Sequence, residues 1–115
     1  MKFTPQSISD VILIEPTVHG DERGYFMESF KQDVFENALG YKVNFIQDNE
    51  SKSTKGVLRG LHYQLPPYTQ AKLVRVVKGS VLDVAVDIRQ NSNTFGQYVS
   101  LVLSEENKKQ LFVPR

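Results

Sequence analysis

Apolar and polar residues alternate along much of the chain, in short segments that turn residues separate. In residues 81–88 a period of two places the larger apolar side chains on one face: Leu82, Val84, Val86 and Ile88. Asp83 and Asp87 lie on the opposite face with Ala85. Further strands are predicted at residues 3–8, 11–15, 25–30, 71–77, 97–103 and Gln110–Val113, and extended backbone at residues 42–47 and 57–62.

One segment has helical periodicity instead. The apolar residues of Gln32–Leu39 fall on one face, and Gly40 follows at the position of a C-cap glycine. Residues 19–24, with a glycine near each end, predict a turn. Many short strands with one helix predict a mainly all-β chain that folds as an antiparallel sandwich or barrel.

The composition argues against several classes of function. The 14 Lys and Arg residues are interleaved with 13 Asp and Glu residues, so no basic face for nucleic acid is expected. The absence of cysteine excludes disulfides, thiolate catalysis and cysteine-ligated metals. The longest purely apolar run, residues 11–14, is far shorter than a membrane span, and the first residues lack the pattern of a signal peptide. We therefore expect a cytoplasmic protein that binds neither nucleic acid nor membranes.

A glycine and a histidine with the spacing of the first cupin motif occur at Gly56 and His62. Metal-binding cupins continue with a second histidine and a glutamate, and here Gln64 and Gln70 occupy those positions. Glutamine is a poor ligand for transition metals, which favour imidazole and carboxylate groups. The segment thus resembles a cupin scaffold without its metal. The resemblance implies an antiparallel β-jelly-roll of the cupin type, with one short helix and no metal site.

Two interpretations of His62 are open. Its imidazole is either an acid or base that works near pH 7, or a buried structural group. Arg59 and Lys72 favour the first interpretation, because cations that face an interior are costly unless an anion neutralises them. Asp83 either pairs with Lys72 across adjacent strands or lies on a solvated face.

Four motifs resemble those of the dTDP-4-dehydrorhamnose 3,5-epimerase family. They are D-x-R-G-x-F-x-E at residues 21–28, Q-D-N at residues 47–49, L-R-G-L-H-x-Q at residues 58–64 and Q-x-K-L-V-R-V at residues 70–76. Together with residues 83–89 and 103–107 they occur in family order and cover nearly the whole chain. The departures are small, since Asn93 replaces a common proline and Tyr98 a common tryptophan.

The resemblance implies a substrate, a base and a group that stabilises the oxyanion. The substrate is a dTDP-linked 4-keto-6-deoxy sugar, dTDP-4-dehydro-6-deoxy-D-glucose, and the product is dTDP-4-dehydro-L-rhamnose. His62 abstracts the protons next to the ketone, at carbons 3 and 5, and Lys72 stabilises the enolate oxygen. No cofactor is implied, because the ketone of the substrate itself accepts the electron pair.

The resemblance also implies which residues hold the substrate. These nucleotide- and sugar-binding residues are Arg23, Phe26, Glu28, Gln47, Asp48, Asn49 and Arg59. Arginine suits a diphosphate because its guanidinium donates in a planar fork. Members of the family are homodimers in which an N-terminal strand crosses to the partner. Residues 3–8 are the candidate for that strand, and an ordinary edge strand is the alternative.

The family pattern extends beyond residue 115. It continues with a histidine-bearing motif, a catalytic tyrosine and an aspartate that orients the base, and none of these is assigned here. We expect the 115 residues to form a single cupin-like domain that is incomplete at its C-terminus. Two alternatives stay open: a related dTDP-sugar isomerase or single-site epimerase, and a non-catalytic cupin-like binding module.

Overall fold

The computed structural model of the chain describes all 115 residues, which form two compact units. The first unit comprises residues 1–29 and 70–115, and the second comprises residues 30–69. All the strands belong to the first unit, and the helix belongs to the second. This helix has 8 residues, and the structure contains none with the length and hydrophobicity that crossing a membrane requires.

The first unit is built from antiparallel strands. In chain order they are β1 (Lys2–Pro5), β2 (Ile12–Glu15), β3 (Val18–Asp21), β4 (Gly24–Met27), β5 (Lys72–Arg75), β6 (Ser80–Val86), β7 (Tyr98–Ser104) and β8 (Gln110–Val113). One sheet has four strands in the order β1-β2-β8-β5, and β3–β4 and β6–β7 form two further pairs. In the four-stranded sheet, Leu111 on β8 lies opposite Leu13 on one side and Val74 on the other.

The core of the first unit is a cluster of apolar side chains from strands and the turn after β1. Its buried members are Ile8, Val11, Ala85, Val99, Leu103 and Leu111. Ala85 and Val99 are partners in the register of β6 and β7, so the alternation along both strands directs them to the same face. Leu103 and Leu111 are fully buried, and each burial stabilises the fold by about 1.5–3 kcal/mol.

A hydrogen-bonded loop follows β6 and leads to β7. The Asp87 carboxylate accepts hydrogen bonds from the hydroxyls of Ser92 and Thr94, both at 2.6 Å, and from the Arg89 guanidinium. Arg89 also donates to Asp10 at 2.7 Å. The bonds from Arg89 are the main reason that the pKa of Asp87 lies well below its ordinary value, and they outweigh the opposing effect of burial. This network fixes the end of β6, the strand that carries Asp83.

The second unit is organised by helix α1 (Gln32–Leu39), whose bounds match the predicted ones. The helix ends at Gly40, whose φ of 78° costs glycine little, and whose N–H caps the last turn. The buried Phe35 packs against the rings of Phe30 and Phe45, with centroid separations of 5.5 and 5.6 Å. Aromatic pairs at such separations stabilise a fold beyond the area they bury.

A polar bridge holds the segment that follows the helix. Gln32 Nε2 donates to the backbone oxygen of Val43 at 2.5 Å and to Glu36 Oε1 at 2.7 Å. The N–H of Val43 donates in turn to Glu36 Oε1 at 3.2 Å. Because both helix side chains bind the same backbone position, the chain leaves the helix in a defined direction towards residues 47–49.

The predicted mainly all-β antiparallel fold with one short helix is confirmed. The prediction of a turn across residues 19–24 is wrong, because Val18–Asp21 and Gly24–Met27 are paired strands with only a tight turn between them. Residues 42–47 and 57–62 form no strand. These two segments pair with no strand of a sheet. Two of their apolar side chains, Ile46 and Leu58, are 88% and 90% exposed.

Candidate active site

The pair of strands β3 and β4 brings two predicted substrate-binding residues together at one surface pocket. Phe26 lies opposite His19 in the register of the pair, and it is exposed. Glu28 follows two positions later, so alternation directs it to the same side. These side chains and those of Met1 and Thr17 line a pocket of about 300 Å³. An aromatic face beside a carboxylate can stack on a flat ring and accept hydrogen bonds from its polar edge.

Arg23 lies in the tight turn between β3 and β4, outside that pocket. Its backbone N–H donates to Asp21 Oδ1 at 2.8 Å, and its Nε donates to Asp21 Oδ2 at 3.1 Å. These bonds from Arg23 lower the pKa of the Asp21 carboxyl. The guanidinium is 90% exposed, and its Nη2 also pairs with the Asp21 carboxylate.

The predicted residues Gln47, Asp48 and Asn49 lie in a segment without regular secondary structure, and all three are exposed. Gln47 Nε2 donates to Asn49 Oδ1 at 3.1 Å, which brings the two amides together. The remaining N–H groups and oxygens of this segment form a set of donors and acceptors that suits the polar edge of a ligand.

Arg59 is held by the polar loop that precedes it in the second unit. Its Nε donates to Ser53 Oγ at 2.8 Å, and its Nη2 donates to the backbone oxygen of Lys52 at 3.1 Å. Neither partner is charged, so the positive charge of the guanidinium is not neutralised by these contacts. An oriented arginine of this kind is suited to an anionic group such as a phosphate.

His62 is exposed, and the other residues of the chain do not bury it. Its ring lies close to Gly60, where a Cβ atom would stand 3.4 Å from His62 Cδ2. Gly60 has a φ of 117°, a conformation that residues with side chains rarely adopt. The backbone that presents the imidazole therefore depends on this glycine.

Lys72 and Asp83 both belong to the first unit, on strands of two different sheets. Lys72 begins β5 and is exposed, whereas Asp83 is half-buried on β6 opposite the apolar Leu101. Burial raises the pKa of the Asp83 carboxyl, and the N–H of Val84 and the charge of Lys72 oppose that rise. Asp83 Oδ2 is buried and has no hydrogen-bond partner. A fully solvated face for Asp83, one of the two open interpretations, is thereby excluded. The other interpretation, a pair with Lys72 across adjacent strands, is wrong, because β5 and β6 belong to different sheets.

The sequence did not single out Thr17 and His19 as neighbours of the predicted binding residues. The missing information was the pairing of β3 with β4, since the predicted turn removed His19 from any strand. No group of three or more histidine, cysteine, aspartate or glutamate side chains is arranged to hold a metal ion.

Comparison with known proteins identifies the motifs as those of one family. The family profile described as dTDP-4-dehydrorhamnose 3,5-epimerase matches residues 5–115. A dTDP-4-dehydrorhamnose 3,5-epimerase from Shigella flexneri is 65% identical over 114 residues, which are 99% of this chain and 63% of that protein.

Solved structures extend the similarity to the fold. The dTDP-6-deoxy-D-glucose-3,5-epimerase of Legionella pneumophila, in complex with dTDP-4-keto-L-rhamnose, is 53% identical with a TM-score of 0.94, over 99% of this chain and 60% of that one. A 3'-monoepimerase from Streptomyces bikiniensis, in complex with dTDP-quinovose, is 37% identical with a TM-score of 0.88, over 95% of this chain and 55% of that one. The expected cupin-type fold is confirmed by these matches.

The chain spans about three fifths of the length of the relatives that it matches. The match to the family profile spans residues 5–115, which include every motif on which the resemblance was based. The chain belongs to the dTDP-4-dehydrorhamnose 3,5-epimerase family.

Proposed function

We propose that this chain acts in an enzyme that converts dTDP-4-dehydro-6-deoxy-D-glucose into dTDP-4-dehydro-L-rhamnose, in dTDP-rhamnose biosynthesis. The observation that carries the proposal is the exposed imidazole of His62 within the family motif at residues 58–64. Support comes from the Legionella pneumophila relative, whose structure holds dTDP-4-keto-L-rhamnose.

His62 acts as the base in this proposal. Its neutral imidazole takes a proton from the carbon next to the ketone, and the C–H electron pair forms the new double bond of an enolate. The C=O electron pair moves onto the keto oxygen, which becomes an anion. The ketone is the electron sink, so the step needs no redox group. Exposure of His62 allows the substrate carbon to approach the ring.

Lys72 stabilises the enolate oxygen in the proposed mechanism. Its ammonium donates a charge-assisted hydrogen bond, which strengthens as the negative charge develops. A second group then returns a proton to the opposite face of the same carbon, which inverts its configuration. The sequence repeats at the other carbon that flanks the ketone, so that carbons 3 and 5 are both inverted.

The remaining predicted residues hold the substrate. Arg23 and Arg59 present charged guanidinium groups to the diphosphate, and the Phe26–Glu28 pocket receives a ring of the nucleotide or the sugar. The amide and carboxylate groups of residues 47–49 bind the polar edge of the base or the sugar. Each of these assignments rests on the family motif together with the exposure of the side chain.

We also propose that residues 1–115 belong to a single cupin-like epimerase domain, as the family resemblance implies, and that the protein is a homodimer that acts in the cytoplasm. The family resemblance supports the dimer, and β1 is available as a strand that contacts a partner. β1 is an edge strand of the four-stranded sheet.

Solvent deuterium exchange tests the proposed activity. The full-length protein that carries this sequence is incubated in D₂O with the 4-keto sugar, and NMR follows the hydrogen atoms at carbons 3 and 5. We expect deuterium at both carbons and conversion to the L-configured product. A protein that binds the sugar without any exchange would instead be a non-catalytic binding module, and the proposal would fail.

A single-site epimerase is the second candidate. The similarity to the 3'-monoepimerase from Streptomyces bikiniensis, with a TM-score of 0.88, supports it. The same NMR experiment separates the two activities, because a single-site enzyme places deuterium at carbon 3 alone. The higher identity of 53% to a 3,5-epimerase makes the double inversion our first choice.

A further inference from the structure

A small cavity in the first unit is lined by two cations and by no acidic side chain. The lining residues are Tyr25, Met27, Arg75, Val76, Val77 and Lys108. The cavity has a volume of about 60 Å³. One water molecule needs roughly 10–15 Å³ of such space, so the cavity has room for a group of a few oxygen atoms and is too small for a whole nucleotide.

Neither cation of this cavity is neutralised by a carboxylate of the chain. Lys109 pairs with Glu15 at 3.8 Å, whereas its neighbour Lys108 forms no ion pair, and Arg75 forms none either. Two positive charges that line one small cavity repel each other, and an anion placed between them reverses the sign of that interaction. The charges of the cavity therefore favour an anionic ligand.

The side chain of Lys108 is held at the cavity before any ligand binds. Its ammonium lies 4.1 Å from the centre of the Tyr25 ring, in a cation–π contact. Asn107 fixes the turn that carries it, because Asn107 Oδ1 accepts from the N–H of Ser104 at 3.0 Å and from the N–H of Lys109 at 2.9 Å. Lys108 therefore presents an oriented ammonium.

The backbone at Lys108 has a conformation that lysine rarely adopts. Its φ is 55°, and it is the only residue of the chain other than glycine with a positive φ. Glycine and asparagine enter this left-handed region more readily than lysine does. The backbone alone would favour one of those two residues, so the lysine at this position is explained by its ammonium.

The four-stranded sheet brings Arg75 to the same cavity. Arg75 on β5 lies opposite Gln110 on β8, and Gln110 is buried. Gln110 Nε2 donates to the backbone oxygen of Ser29 at 2.9 Å, two residues after the end of β4. This bond holds the strand of Tyr25 beside the end of β5. The guanidinium of Arg75 adds a planar set of donors to the point charge of Lys108.

We propose that this cavity binds a single phosphate group, either as inorganic phosphate or as the phosphate of a monoester. Lys108 and Arg75 donate charge-assisted hydrogen bonds to its oxygens. The site lies on the other side of β4 from the Phe26–Glu28 pocket, because side chains alternate along the strand and Tyr25 lines the cavity. The site is therefore additional to the residues that hold the substrate in the proposed function.

Calorimetric titration of the full-length protein with inorganic phosphate, at constant ionic strength, tests the site. We expect saturable binding that Lys108→Asn and Arg75→Gln each weaken at least roughly tenfold, the usual effect of losing a hydrogen bond to a charged group. Asparagine accepts the left-handed backbone, so the melting temperature of Lys108→Asn without phosphate should hold. Lys109→Asn is the matched control, because it removes the same charge from the adjacent residue. It should change the Kd for phosphate by less than about twofold.

A second titration uses methyl phosphate to distinguish the two sources of the phosphate group. Equal affinities would show that the fourth oxygen faces solvent and that a monoester fits the site. Binding of inorganic phosphate alone would identify the free ion as the ligand.

Three results would overturn the inference. The first is a wild-type protein that does not bind phosphate, and the second is a loss of affinity in Lys109→Asn as large as in Lys108→Asn. The third is phosphate binding that Arg59→Gln abolishes and Arg75→Gln leaves intact, because the anion would then occupy the proposed substrate-binding residues alone.

Discussion

Arg89 donates to both carboxylate oxygens of Asp87, with Nε 2.9 Å from Oδ1 and Nη2 2.8 Å from Oδ2. Asp87→Asn removes this two-point ion pair from a side chain that is 1% exposed. We expect the free energy of unfolding at neutral pH to fall by about 2–4 kcal/mol, measured by urea unfolding. Asp10→Asn is the control, because it removes an exposed partner of the same Arg89. It should cost under about 1 kcal/mol, and equal losses would contradict the importance of burial.

The pH dependence of stability gives a second test of Asp87. Its pKa is lower in the folded state than the value of about 3.9 expected in the unfolded chain. The ionised Asp87 carboxylate therefore stabilises the folded state fully at pH values above its pKa in the unfolded chain. This stabilisation is lost as the pH falls from that value towards the lower pKa of the folded state. We expect the difference in unfolding free energy between the wild type and Asp87→Asn to be constant above about pH 5 and to shrink as the pH is lowered below about pH 4. A difference that does not change with pH would count against the assigned ionisation.

The substitution His62→Asn tests whether His62 is the base of the proposed reaction. In the full-length protein, His62→Asn is expected to keep substrate binding and to lower deuterium exchange at least ~100-fold, the usual effect of losing a general base. His19→Asn is the contrast, because His19 lines the pocket with Phe26 and Glu28. That change should raise KM more than it lowers kcat. Undiminished exchange in His62→Asn would rule out the role.

Lys72→Met tests the stabilisation of the enolate. The exposed side chain contributes little to the fold, so the melting temperature should hold. Loss of the oxyanion donor is expected to raise the activation barrier by roughly 2–4 kcal/mol, read from the rate of exchange. Lys78→Met, a change at an exposed lysine in the turn after β5, should leave the rate unaltered. A fully active Lys72→Met enzyme would remove Lys72 from the mechanism.

Gly60→Ala tests how the backbone presents His62. At a φ of 117° an alanine is strained by about 1–3 kcal/mol, and relaxation of that strain moves the neighbouring imidazole. We expect a slower exchange reaction together with a lower melting temperature. Gly40→Ala introduces a methyl group at another positive φ, with no atom within 4 Å. Gly40→Ala should lower the free energy of unfolding by about 1 kcal/mol and leave kcat unchanged. If Gly60→Ala also lowered the stability without lowering kcat, the link between Gly60 and His62 would be refuted.

The helix was predictable because its information is local. Apolar residues at helical spacing and the glycine at position 40 specify both its face and its end, and the structure agrees at both bounds. Strand β3 was not predictable in this way, since all four residues of Val18–Asp21 are exposed and no alternation marks them. It is a strand because β4 pairs with its backbone, and that pairing is a tertiary event.

The candidate site likewise has residues that the sequence predicts and environments that only the tertiary structure determines. The motifs name His62 and Lys72 as the candidates for the base and the oxyanion donor of the proposed mechanism. The environment of Asp83 depends on what packs against β6, which a single sequence does not contain. The proximity of His19 to Phe26 likewise follows from the register of a strand pair.

The order of strands in the four-stranded sheet constrains when that sheet can form in the cell. β8 lies between β2 and β5 in the sheet. Leu111 on β8 therefore has two neighbours, Leu13 near the start of the chain and Val74 on β5, and the sheet is incomplete until β8 is in place. A ribosome that adds about 5–20 residues per second needs roughly 5–20 s to progress from β2 to β8. During that interval β2 has only β1 as a partner, and its other edge is open to wrong pairings. The second unit is continuous in sequence and can fold while synthesis proceeds, whereas the sheet must wait for β8 to leave the exit tunnel.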